Sequence, residues 1–137
     1  KALELLDEAT DEARRIEPSD PALPRALIAV ANALKVVDRK RVWDATFDAV
    51  KAANSADGFT GEDGQLVFRF QSKGQGSIST KSVPDFDLEP IFKTLAMLDY
   101  ERSIELAKGF QAEGPRAIAT IAIARAILEP KKDAASQ

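Results

Sequence analysis

One nine-residue pattern occurs twice in this chain. Residues 26–34 read ALIAVANAL and residues 119–127, 93 positions on, read ATIAIARAI, so both fit the frame A-x-I-A-[VI]-A-x-A-[LI]. Alanine interleaved with Leu, Ile and Val describes a helix whose small positions let neighbours come close and whose bulky positions fill the space between them. A recurring helix of this kind constrains the architecture more than any single motif, because each unit can bury its apolar face only against another unit.

Shorter matches extend the repeat. Ala9, Thr10 and Ala13 return 36 positions on as Ala45, Thr46 and Ala49, and Leu34, Val37, Asp38 and Arg41 return 61 positions on as Leu95, Leu98, Asp99 and Arg102. The longer interval exceeds the shorter by about the length of a stretch that holds Gly58, Gly61, Gly64, Gly74 and Gly76, five of the seven glycines. The expectation is a mainly α fold, a six-helix array of three helical hairpins in the manner of an α-solenoid. It forms a single domain over 1–137, with a β-hairpin or loop inserted at 57–86 between helices 3 and 4.

Local punctuation supports six helices. Leu3, Leu6, Ala9, Ala13 and Ile16 form one stripe over residues 2–16, with acidic residues early and Arg14 and Arg15 late, as the helix dipole favours. Pro18 ends it, and Ser19-Asp20-Pro21 supplies a cap and a first-turn proline for a second helix with its seam at Leu23, Leu27, Val30, Leu34 and Val37. Asp38, Asp87 and Asp99 are the expected caps of helices 3, 4 and 5, so the acids of the DFDLEP segment have a structural reason. Helix 5 is expected over 100–111, and helix 6 from Pro115 to Leu128, before Pro130. Within the insert Leu66, Phe68 and Phe70 alternate with Val67, Arg69 and Gln71, and SKGQG leads to a more polar run, a pattern for two strands around a turn.

Arg25-Ala26-Leu27 through Leu34 and Asp38, with the parallel segment from Arg116 to Ile127, resembles divergent bacterial tetratricopeptide-like helical-repeat proteins. Such a helix is followed there by Asp and a second, charged helix. The resemblance covers the chain apart from its insert and implies a protein-interaction scaffold without chemistry of its own.

Composition narrows function from another side. Apolar residues make up 45% and charged residues 30% of the 137, the balance of a globular chain. A net charge of −3 gives no attraction to phosphate backbones, so nucleic acid is not expected as a partner. No histidine and no cysteine is present, which removes the usual general base, thiolate nucleophile and zinc ligands. No catalytic residue, metal or cofactor is therefore expected, and no membrane association. Residues 57–68 place Phe68 where a calcium loop needs its bidentate Glu, and SKGQGS matches a phosphate loop only in glycine content. Lys35, Arg39, Lys40 and Arg41 form a basic cluster interleaved with Asp38, Asp44 and Asp48, which reads as a solvated turn. The chain opens on Lys1 rather than Met, as a trimmed, exported precursor would.

The function expected is that of a non-catalytic interaction scaffold for a protein or peptide. Helical spacing lets Trp43, Phe47, Tyr100 and Phe110 pack in the core, or anchor a partner if they line a groove. A short hairpin cannot hide Phe59, Phe68 and Phe70 by itself. Phe59, Phe68, Phe70, Trp43 and Tyr100 are accordingly the candidate partner-binding residues, with the insert as specificity element. Helix 6 carries Arg116, Thr120 and Arg125 as its only polar side chains between Pro115 and Leu128, so something is expected to cover it. That feature supports the alternative of a self-assembling structural protein joined through helix 6 and the hairpin.

Overall fold

The structure, a computed structural model, describes residues 1–61 and 65–129, with 65–70, 72 and 79–82 described by their backbone alone. The chain is mainly helical, with six helices among the described residues: α1 (Ala2–Ala13), α2 (Ala22–Val37), α3 (Arg41–Ser55), α4 (Leu88–Leu98), α5 (Tyr100–Lys108) and α6 (Glu113–Leu128). Two strands, β1 (Gln65–Ser72) and β2 (Gln75–Ser82), pair antiparallel between α3 and α4 with Gln65 opposite Ser82 and Ser72 opposite Gln75. Lys73 and Gly74 both take positive φ, 51° and 79°, the two-residue turn whose twist matches the strands it joins.

The caps show why the helices begin where they do. The Asp87 carboxylate accepts from the Glu89 N–H, and that of Asp99 from the Arg102 N–H. The Asp20 carboxylate accepts from Ala22 at the start of α2. Asp38 differs from its expected place. It closes α2 and its carboxylate accepts from Lys40, so it holds the turn between two helices rather than standing directly before α3. α1 stops at Ala13 rather than Ile16, because Arg15 and Ile16 donate to carbonyls three residues back and tighten the chain into a turn. α5 likewise stops at Lys108, ahead of Gly109.

Neighbouring helices pack on one another, α4 packs on α2 and α6, and the other alternate helices are joined by side-chain contacts. Asp7 of α1 and Arg14 just beyond it meet Arg41 and Asp48 of α3; Trp43 and Asn54 of α3 meet Arg102 on α5 and Gly109 beyond it. Glu89 and Lys93 of α4 meet Arg125 and Glu129 at the end of α6. In each pair the contacts advance in the same direction along both partners, so alternate helices run parallel. α2 joins α4 through Asn32, whose amide donates to the carbonyls of Asp85 and Asp87 at 2.9 and 3.1 Å. The core is continuous across these contacts, centred on Ile28, Leu34, Val42, Leu88, Ile91, Phe92, Leu95 and Phe110. The Phe92 and Phe110 rings tilt against each other with centroids 6.0 Å apart, a favoured aromatic arrangement.

The start of the insert is pressed onto α6. Gly61 has φ +83°, and a Cβ there would stand 3.0 Å from the Pro115 Cα; a Cβ on Gly114 would stand 2.9 Å from the Thr60 carbonyl oxygen. Both backbones approach at a distance only glycine permits. Phe59, just ahead, is driven into the core with 6% of its surface exposed. This corrects its assignment as a partner-binding residue: its ring is spent on the helices of its own chain.

Candidate functional site

α3 buries Val42, Thr46, Ala49, Val50 and Ala53. The next stripe round the helix, Trp43, Phe47 and Lys51 at four-residue spacing, is turned toward α5 and the surface. Arg102, Glu105 and Leu106 of α5 complete a groove of about 340 Å³ that Trp43, Asp44 and Phe47 line from the α3 side. The Arg102 guanidinium lies 4.4 Å from the centre of the Trp43 ring. The Lys51 ammonium lies 5.6 Å from that of Phe47, so each aromatic ring has a cation over its face. Phe47 remains 54% exposed, a large apolar surface beside four charged residues.

A second groove of about 430 Å³ runs between α1 and α3 over Val30 and Leu34 of α2. Asp7, Asp11, Asp44 and Asp48 line it with Arg14 and Arg41. Two cross-groove ion pairs, Asp7 with Arg41 and Asp48 with Arg14, occupy its two cations. The Asp7 hydrogen bond, then its charge, raises the pKa of Arg41. The groove is bridged rather than open, and its cations are already engaged. Among the described residues no cluster of three metal-ligating side chains occurs.

Among the described side chains, one of the expected residues lies in the α3–α5 groove. Trp43 lines the α3–α5 groove. Tyr100 opens α5 with 47% of its surface exposed, and its carbonyl accepts from the Ser103 hydroxyl at 2.6 Å. Phe68 and Phe70 stand on β1 opposite Ser79 and Ser77, and their side chains lie outside the described residues. Phe110 is buried. Phe47 and Arg102 are the additions. Arg102 carries a sequence signal, since it repeats Arg41, and Trp43 stands 36 positions after Asp7. The Arg102–Trp43 stack therefore occupies the place that the Arg41–Asp7 ion pair holds one unit earlier, with an indole substituted for a carboxylate.

Comparison with protein-family models, curated proteins and solved structures finds no match. Among the described residues no helix is long and apolar enough to cross a membrane.

Proposed function

We propose that the chain is a non-catalytic interaction scaffold of tetratricopeptide-like, α-solenoid arrangement that holds a protein or peptide segment in the α3–α5 groove. Parallel alternate helices and the repeated Arg41 and Arg102 contacts favour the arrangement. The observation that carries the binding reading is the exposed Phe47 beside the half-buried Trp43, with Lys51 and Arg102 over their rings. Rings held by neighbouring cations are rigid, and rigid aromatic surface gives large contact area at little entropic cost. The mixed charge of Asp44, Lys51, Arg102 and Glu105 suits an apolar anchor flanked by polar groups rather than a highly charged ligand.

The test is selection from a displayed random-peptide library on the intact chain, followed by measurement of each enriched peptide against Trp43→Asp and Phe47→Ala. Trp43→Asp recreates the carboxylate–arginine pair of the preceding unit, so helicity is retained while the aromatic face is lost. A tenfold or greater loss of affinity in both variants, with unchanged circular dichroism, is the expected result. Equal binding by the variants removes the groove from consideration, and a library that enriches nothing removes the peptide-binding reading.

A further inference from the structure

The two copies of the nine-residue pattern meet very different surroundings. Pro24, Ile28 and Ala31 of α2 lie on one stripe beside Asn32, which is bonded to the segment entering α4; Ile28 and Ala31 have no exposed surface. Their counterparts 93 positions on, Ala117, Ile121 and Ala124 of α6, are all exposed, Ile121 by 51%. Leu128 continues that stripe one turn further with 81% exposed. The opposite stripe reverses the relation. Ala119 and Ala122 of α6 are sealed where α6 packs on its neighbours, whereas the corresponding Ala26 and Ala29 of α2, with Ala22 and Ala33 in line, keep part of their surface in solvent.

Among the described residues, then, the Ile28 stripe is sealed in α2 on the side that meets the segment entering α4, and the alanine stripe is sealed in α6 where it packs on its neighbours. α2 has the partly open alanine stripe among the described residues, and α6 the exposed Ile121 stripe. We propose that the α6 stripe of Ala117, Ile121, Ala124 and Leu128 receives the α2 alanine stripe of a second copy, so that molecules join head to tail. The occupant is a second copy because the contact sets against each other, between molecules, the two kinds of stripe that are each sealed once within the chain, the Ile28 stripe in α2 and the Ala119 stripe in α6. Large side chains on one face meet small ones on the other, which close packing of helices requires. The contact is heterologous: using one face leaves the other free, so association proceeds beyond the dimer unless a ring closes. It uses no residue of the α3–α5 groove, and it stands or falls separately from the peptide-binding reading.

Light scattering after gel filtration reads the outcome on the whole chain. The wild type is expected to increase in mass with concentration, while Ile121→Glu and Ala29→Glu each stay monomeric with wild-type circular dichroism. Mixing the two variants is the decisive step, since each retains the face the other has lost. A complex of one of each, and nothing larger, is expected. Ala33→Glu replaces Ala29→Glu if that variant does not fold. A wild type that is monomeric at every concentration overturns the proposal. So does loss of association in Ile121→Glu alone, which is the signature of two α6 faces meeting each other or of another occupant.

Discussion

The Arg102 guanidinium stacks 4.4 Å from the centre of the Trp43 ring, linking the first turns of two parallel helices. One unit earlier Arg41 makes the equivalent reach to Asp7. An arginine can serve both partners because its planar cation pairs with carboxylates and lies flat on aromatic faces. In the first unit the contact satisfies charge; in the second it leaves an aromatic surface at a groove. Trp43 is the sole tryptophan, so its emission reports on this contact directly. Arg102→Ala is expected to shift that emission to the red and to cost about 1 kcal/mol of stability, as for a cation over a partly exposed ring. Arg102→Lys, which keeps the charge but not the planar stack, is expected to restore only part of either effect.

The helices were legible in the sequence because their signals are local: apolar spacing, aspartates at caps, prolines and glycines between segments. Even the Arg102 contact was implicit in the repeat, through Arg41. The site was less legible because exposure is decided by how helices are set against each other. Trp43 and Phe47 share one stripe of α3, and only the position of α5 leaves that stripe at the rim of a groove instead of in the core. Phe59 shows the converse. Nothing adjacent to it in sequence marks it for burial; Gly61 and Gly114, more than fifty residues apart, let the loop descend onto α6 and carry the ring inward. α6 was expected to need a cover, and among the described residues Ile121, Ile127 and Leu128 remain exposed.

Thr46 and Thr10 occupy equivalent repeat positions with opposite consequences. The Thr10 hydroxyl donates to the Leu6 carbonyl at 2.8 Å, whereas that of Thr46, in a residue only 1% exposed, has no hydrogen-bond partner among the described residues. A buried hydroxyl without a partner costs its lost hydration. Thr46→Val, which keeps the shape and removes the polar atom, is expected to raise stability by about 1 kcal/mol, or Tm by about 3 °C. Thr10→Val is expected to leave it unchanged or lower it. Thermal denaturation of the two variants side by side checks both signs.

Gly58 and Gly61 separate conformational cost from steric cost. Both have positive φ, 75° and 83°, but a Cβ at Gly58 meets nothing within 4 Å, while one at Gly61 meets Pro115 and Ile118 of α6. Gly58→Ala is expected to cost about 1 kcal/mol, the penalty of an L-residue in the left-handed region. Gly61→Ala adds displacement of the loop from α6 and is expected to cost about 1–3 kcal/mol more. It should also expose Phe59, visible as increased binding of a hydrophobic dye. Equal costs for the two variants, measured by urea denaturation, would show that the loop contributes nothing to holding α6.

Glu89 joins α4 to α6 and confers a pH dependence whose direction is set by its partners. Its carboxylate accepts from Arg125 at 2.9 Å and faces Lys93 at 3.4 Å, and Lys93 in turn donates to Glu129 at 2.9 Å. The Arg125 hydrogen bond, opposed by partial burial and reinforced by the two cations, holds the carboxyl below its usual 4.5. The folded state therefore prefers ionised Glu89 more than the unfolded chain does. That contribution is fully present at neutral pH, begins to fade as the pH falls through 4.5, and is gone once the pH has dropped below the folded-state value. The basic partners keep their charge throughout this range, their pKa values being raised: Lys93 first by its bond to Glu129, Arg125 by its bond to Glu89. Glu89→Gln removes the titrating group and leaves the helix start intact, because the cap belongs to Asp87. Its Tm is expected to lie below that of the wild type at pH 7, with the gap closing as acid protonates the wild-type carboxyl. A gap that is constant across the acid range would mean that Glu89 acts through packing alone and that its ion pairs with α6 contribute no stability.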